Sequence, residues 1–221
     1  MGDQMAVSGD LSYFALKQGR VKKRNNAIAA FICGVVPATI LAVLSPASAR
    51  HWLIGFVIGL VWANGFEYAY HRWLLHRPRS IFGKGHILHH SMVGQPEEPE
   101  HVTLGSSPLN VALLFVSNGI LLLAIEALLR TRISAGVLMG WAVYMIATEE
   151  VHWRIHLGEW LPPILRRSRD YHFSHHDYPD ARYNVFLPLF DLLFGNYKLR
   201  SVARRSPSSS PVEPVHQTLQ R

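Results

Sequence analysis

Residues 52–76 read WLIGFVIGLVWANGFEYAYHRWLLH. An apolar run from Trp52 to Tyr70, interrupted by Asn64 and Glu67, leads straight into His71, and His76 follows five positions later. The pattern recurs downstream. A run from Ile133 to Thr148 passes Glu149 and Glu150 and enters a second histidine region at His152 and His156. Each of these runs has an apolar partner before it, 27–44 and 109–129. About 20 consecutive apolar residues cross the hydrocarbon core of a bilayer as a helix. The 27–44 run carries no charge, and 109–129 carries only Glu126, near its end. The 133–148 run is short and spans only if its helix continues past Glu149 and Glu150. Two apolar hairpins, each followed by histidines, predict an all-α polytopic membrane protein. It has about four transmembrane helices, or two hairpins reaching part-way, and a helical cap holding the histidines.

Composition agrees. Hydrophobic residues make up 49% of the 221, and charged residues only 17%, low for a domain that must cover itself with water. The net charge of +7 suits an anionic membrane surface, and with four apolar runs present a nucleic-acid partner is not expected. The single cysteine, Cys33, lies in an apolar run, which excludes a disulfide framework and a thiolate metal site. It reads as a small buried hydrophobe.

The chain divides into a polar N-terminal segment, 1–26, a membrane-embedded domain, 27–200, and a Ser-, Pro- and Arg-rich tail, 201–221, expected to be disordered. With the N-terminus cytoplasmic, the inside segments carry every Lys and Arg except Arg50, Arg130 and Arg132. That bias follows the positive-inside rule. It puts both termini and all the clustered histidines on the cytoplasmic side of an integral, multi-pass membrane protein.

Ten of the 13 histidines form four blocks. They are His71 and His76; His86, His89 and His90; His152 and His156; and His172, His175 and His176, five from each half of the chain. Neutral imidazole is the commonest protein metal ligand. Helical positions i, i+3 and i+4 share a face, so each HxxHH block can aim at one centre. His71 and His76 are about 140° apart on an ideal helix, and flank a site unless the helix ends or bulges between them. Ten imidazoles are too many for one ion and a natural number for two. His51, His101 and His216 read as ordinary polar residues, with His101 held in reserve as a ligand.

These four blocks, in this order, resemble the fatty acid hydroxylase / sterol desaturase superfamily of integral-membrane oxygenases. The stretch 184–195, NVFLPLFDLLFG, reinforces the resemblance, which covers about residues 50–200. It implies a centre of two Fe ions held by the ten histidines, O2 as co-substrate, a membrane lipid as substrate and an external electron donor. No haem-binding electron-transfer domain is recognisable in the chain, so the donor is expected to be a separate protein. Zinc suits the same ligands but is redox-inert. Only nine residues separate His76 from His86, fewer than in many members, and a tight turn is expected there.

The chemistry fits such ligands. An unactivated C–H bond does not yield to acid, base or thiolate, and needs oxidising chemistry supplied by a cofactor. Hydroxylation of a fatty acyl chain or a sterol-like lipid is the leading expectation. Desaturation on the same site is the alternative within enzymes. A non-catalytic metal-binding membrane protein is the alternative of another class, disfavoured because transported metal is expected at mid-membrane.

Glu67, Glu149, Asp170 and Asp177 are candidates to hold imidazole N–H groups from behind, with Glu149 favoured one turn before His152. For Glu67, Glu149 and Glu150 the alternative is the wet end of a helix. Asp180 and Asn184 read as turn formers. Trp73, Trp153 and Trp160 read as interfacial belt residues, and Arg166, Arg167 and Arg169 as contacts to anionic headgroups.

Overall fold

The computed structural model describes residues 2–103 and 107–198, with side chains from residue 10 onward. The 201–221 tail and His216 lie outside the described residues. Among these the protein is all-helical, with no strand. The helices are α1 (Gly2–Ala30), α2 (Val36–Leu44), α3 (Ala49–Tyr70), α4 (Gly83–Met92), α5 (Glu98–His101), α6 (Pro108–Leu129), α7 (Ser134–His156), α8 (Arg166–Asp177) and α9 (Leu189–Leu193).

Three segments are long and apolar enough to cross a membrane: Asp10–Leu44, Ala49–Leu75 and Pro108–Leu129. They fit a membrane protein. The first combines α1 and α2 through a π-helical turn, Phe31–Val35, so the helix runs unbroken across the 26/27 boundary drawn from sequence. The fourth run is a helix too. α7 continues past Glu149 and Glu150 to His156, but it is not among the three segments of spanning length and apolarity. It is instead the helix with the most buried positions, enclosed by its neighbours.

α3 and α7 run parallel and touch backbone to backbone. Gly55 and Gly59 of α3 lie against the carbonyls of Ile133 and Val137, and Gly136 and Gly140 of α7 against those of Trp52 and Phe56. A Cβ at Gly59 or Gly140 would overlap a backbone oxygen of the other helix. Small residues four apart allow this approach where lipid gives no hydrophobic drive for association. Because the pair is parallel, the C-terminal ends of α3 and α7 finish side by side, and each carries a histidine block.

At that same end the polar N-terminal helix is tied down. Lys22 pairs with Glu100 at 3.0 Å and Lys23 with Glu150 at 2.7 Å, while Glu150 also takes Arg154 at 2.6 Å. Such half-exposed pairs contribute roughly 0–1 kcal/mol each, so they orient α1 more than they stabilise it. Trp73 and Trp160 are half or more exposed, as a belt residue would be. Trp153 is not. It is buried, and its Nε1 donates to Glu159 at 3.2 Å. Arg169 is likewise used internally, donating to the carbonyls of Arg154 and Glu159.

Candidate metal centre

α3 does not stop at Tyr70. It passes into a π-helical turn, His71–Leu75. A π turn closes on i+5, so residues five apart stack instead of diverging. His71 and His76 accordingly lie with ring centroids 5.0 Å apart and planes 18° from parallel. The chain then reverses through a short turn in which Ser80 Oγ accepts from the Phe82 and Gly83 amides, and α4 presents its histidines back toward the turn.

The ten histidines form two groups of five, each with nitrogens close enough to share one ion. The first is His71, His76, His86, His90 and His175, and the second His89, His152, His156, His172 and His176. Neither HxxHH block aims at a single centre. His89 leaves its own half of the chain for the second group, and His175 leaves its half for the first. The cause is the helical angle. Positions i and i+4 are about 40° apart, whereas i+3 is about 100° from i+4, so the middle histidine faces sideways. The exchanged histidines interlock the groups, and the His90 and His176 rings lie 4.1 Å apart between them.

Within each group the Nε2 atoms converge. His71 and His86 are 2.9 Å apart, His86 and His90 3.0 Å, and His76 and His175 3.2 Å. In the second group His156 and His172 are 3.0 Å apart, and His172 and His176 3.1 Å. These separations match the spacing between neighbouring ligands on an ion bound at roughly 2.0–2.1 Å. Neither nitrogen of His89 has a hydrogen-bond partner among the described residues, although the side chain is buried. A buried polar group in that state is costly, and a metal ion would relieve it. The donor set therefore fits metal.

Electrostatics fit as well. Burial holds His86, His89 and His172 well below the ordinary imidazole value, and lowers His90 to about 4 and His175 to about 3. Each is neutral at pH 7, and only a neutral imidazole has the lone pair that a metal takes.

Several imidazoles are held from behind at Nδ1, which leaves Nε2 as the ligand atom. His156 Nδ1 donates to Glu98 Oε1 at 2.8 Å. His175 Nδ1 donates to the Ala181 carbonyl at 2.7 Å, and His71 Nδ1 to that of Tyr183. Those two carbonyls belong to one strap, residues 181–185, which is itself pinned. The buried carboxylate of Asp191 accepts from the Tyr183 and Asn184 amides at 2.9 and 2.7 Å and from Tyr171 Oη at 2.7 Å. Glu67 accepts from Tyr144 Oη, Asn184 Nδ2 and the Val185 amide at 2.7, 2.8 and 3.1 Å.

Of the four acids expected behind the histidines, Glu67 therefore acts through the strap and is buried, not at the wet end of a helix. Glu149 accepts from Asn26 at 3.4 Å. Asp170 and Asp177 are exposed. Asn184 is more than a turn former, since its side chain joins Glu67 to the Asn64 carbonyl. Glu98 and Asp191 were not anticipated. Glu98 sits in an acidic run, 97–100, whose proximity to His90 was its one available signal. His101 belongs to neither group.

The fatty acid hydroxylase family model matches residues 56–196, which include all ten histidines. This chain belongs to the fatty acid hydroxylase family. A solved structure described as full-length Scs7p, with only the hydroxylase domain visible, is similar in fold. Its TM-score is 0.59 at 21% identity over 77% of this chain and 67% of that one. No curated protein matches. Family membership makes the chain an oxidoreductase, and the histidine groups suit its metal site.

Beside the first group lies a cavity of about 170 Å³ among α1, α3, α6 and α7. Phe66, Val111, Leu114, Phe115 and Met145 line it, together with His71 and Glu67. Lys23, Arg24, Glu149 and Glu150 are also on its wall.

Proposed function

We propose that this chain hydroxylates an acyl chain or sterol-like carbon of a membrane lipid, using O2 and two iron ions held by the ten histidines. The observation that carries the reading is the apolar cavity that has His71 on its wall. His71, His76, His86, His90 and His175 would hold one ion, and His89, His152, His156, His172 and His176 the other. Iron would supply the redox chemistry that O2 and an unactivated C–H bond require, which redox-inert zinc does not.

The protein's own part is placement. Phe66, Phe115 and Met145 give the lipid tail a dry channel and keep water from the reacting carbon. Lys23 and Arg24 offer positive charge where an anionic headgroup would remain in the interface. Glu98 and the 181–185 strap hold three imidazoles in fixed orientation. Electrons come from a separate donor protein. The positive-inside bias supports a cytoplasmic position for both termini and the histidine groups.

Comparative lipid mass spectrometry with and without the gene tests the reaction. A lipid heavier by one oxygen is expected, and one lighter by two hydrogens would mean desaturation instead. Metal analysis of the purified protein should give about two ions per chain on the two-group geometry. A folded protein that is metal-free when isolated would sink the reading.

A further inference from the structure

A second cavity, also about 170 Å³, lies farther from the histidines along the same three helices. Ile58 and Trp62 of α3, Leu122 of α6, and Leu138 and Trp141 of α7 line it. Each helix thus contributes to both cavities in turn: Phe66 then Trp62 on α3, Phe115 then Leu122 on α6, Met145 then Trp141 on α7. The cavities are stacked end to end. Phe66 is five residues below His71 and Ile58 thirteen, which is roughly 7 and 20 Å at 1.5 Å per residue.

An aromatic wedge stands between them. The Trp141 ring meets Phe66 edge-on at 4.8 Å and Phe115 at 6.1 Å, and those two phenyl rings line the upper cavity while Trp141 lines the lower. Trp141 is buried, yet its Nε1 has no hydrogen-bond partner among the described residues. Buried indole N–H groups usually find one. The ring is held by packing, between residues that line the two apolar spaces.

We propose that Trp141, wedged against Phe66 and Phe115, closes the substrate cavity and sets the length of acyl chain that the site beside His71 accepts. This rests on the upper cavity being the lipid site. The chain's reacting carbon lies at the histidines and its far end abuts the Phe66 and Phe115 rings, which Trp141 backs from the other side. Lipids with longer tails are excluded because the lower cavity is shut off from them.

The test compares the wild-type protein with Trp141→Ala and the milder Trp141→Leu. In cells, the ratio of longer- to shorter-chain hydroxylated product should rise roughly tenfold in the variants, the size of effect a few methylenes produce in an apolar pocket. An unchanged ratio in variants that reach the membrane and make product overturns the proposal. Binding provides a readout that needs no turnover. With saturated fatty acids of increasing length, the gain in melting temperature should plateau at a longer chain for Trp141→Leu than for wild type. A shared plateau overturns the proposal. Leu122→Phe narrows only the lower cavity and should leave the wild-type product distribution in place. A shift there would mean that the chain already passes Trp141, which also overturns it. A moved plateau with no oxygenated lipid from any protein would keep the partition and remove the hydroxylation reading.

Discussion

His175 Nε2 lies 3.2 Å from His76 Nε2, although 99 positions of chain separate the two residues. His89 makes the reverse crossing, its ring 4.9 Å from His152 and 4.5 Å from His156. Each half of the chain thus completes the other's histidine group with one residue. Neither half holds a full set, and this makes both groups products of tertiary folding.

The exchange predicts selective metal loss. His175→Ala should lower metal content from about two ions per chain toward one, and His89→Ala should do the same through the other group. Both should abolish product while the protein still inserts in the membrane. Elemental analysis of the two variants reads this directly, and an unchanged ratio in both would show that the crossings carry no ligand role.

Glu98→Gln should weaken metal binding roughly 10–100-fold, as removal of a carboxylate behind a ligating imidazole does. The amide retains size but loses the charge that His156 Nδ1–H faces at 2.8 Å. Competition with a chelator measures the affinity. Asp177→Asn, at an exposed position, is the control expected to leave it alone.

Asp191→Ala should destabilise the protein by on the order of 3 kcal/mol, because two backbone amides and the Tyr171 hydroxyl lose a buried acceptor together. The 181–185 strap should loosen, and with it the carbonyls behind His71 and His175. Hydrogen exchange at Tyr183 and Asn184 should rise before global unfolding does.

Acid should destabilise the metal-free protein over a definite window. Folded His90 and His175 titrate near 4 and 3, below the roughly 6.5 of an unfolded histidine. Above 6.5 both states are neutral and no penalty arises. As pH falls below that, the unfolded chain takes up protons that the folded one refuses, so stability declines continuously toward pH 4. Melting temperatures from pH 8 to 5 should be flat and then fall, and bound metal should delay the fall.

Gly59→Leu or Gly140→Leu should separate α3 from α7, since each new side chain would overlap a backbone oxygen across the pair. Loss of folded protein, or of metal, is expected. Gly119→Leu, on the open face of α6 with nothing within 4 Å of where a Cβ would stand, should be tolerated.

Much of this was legible locally. Apolarity over about 20 residues and histidines at fixed spacings are properties of a short stretch, so the helices, the ten clustered histidines and the family resemblance could be read from the chain alone. The tight turn between His76 and His86 was legible for the same reason. The bulge at His71–Leu75 was legible only as one of two options. Whether five-apart residues stack or diverge depends on a π turn, which the spacing alone leaves open.

The sequence by itself thus determined which residues could bind metal and which segments are helices, since both depend on near neighbours. Only the tertiary structure decided how those histidines are shared. The parallel approach of α3 and α7 on their glycine faces brings the two blocks together. The sideways aim of an i+3 residue then sends His89 and His175 across the gap. Glu98, Asp191 and the Trp141 partition belong to the same class, because each acts on residues far away in the chain and near only after folding.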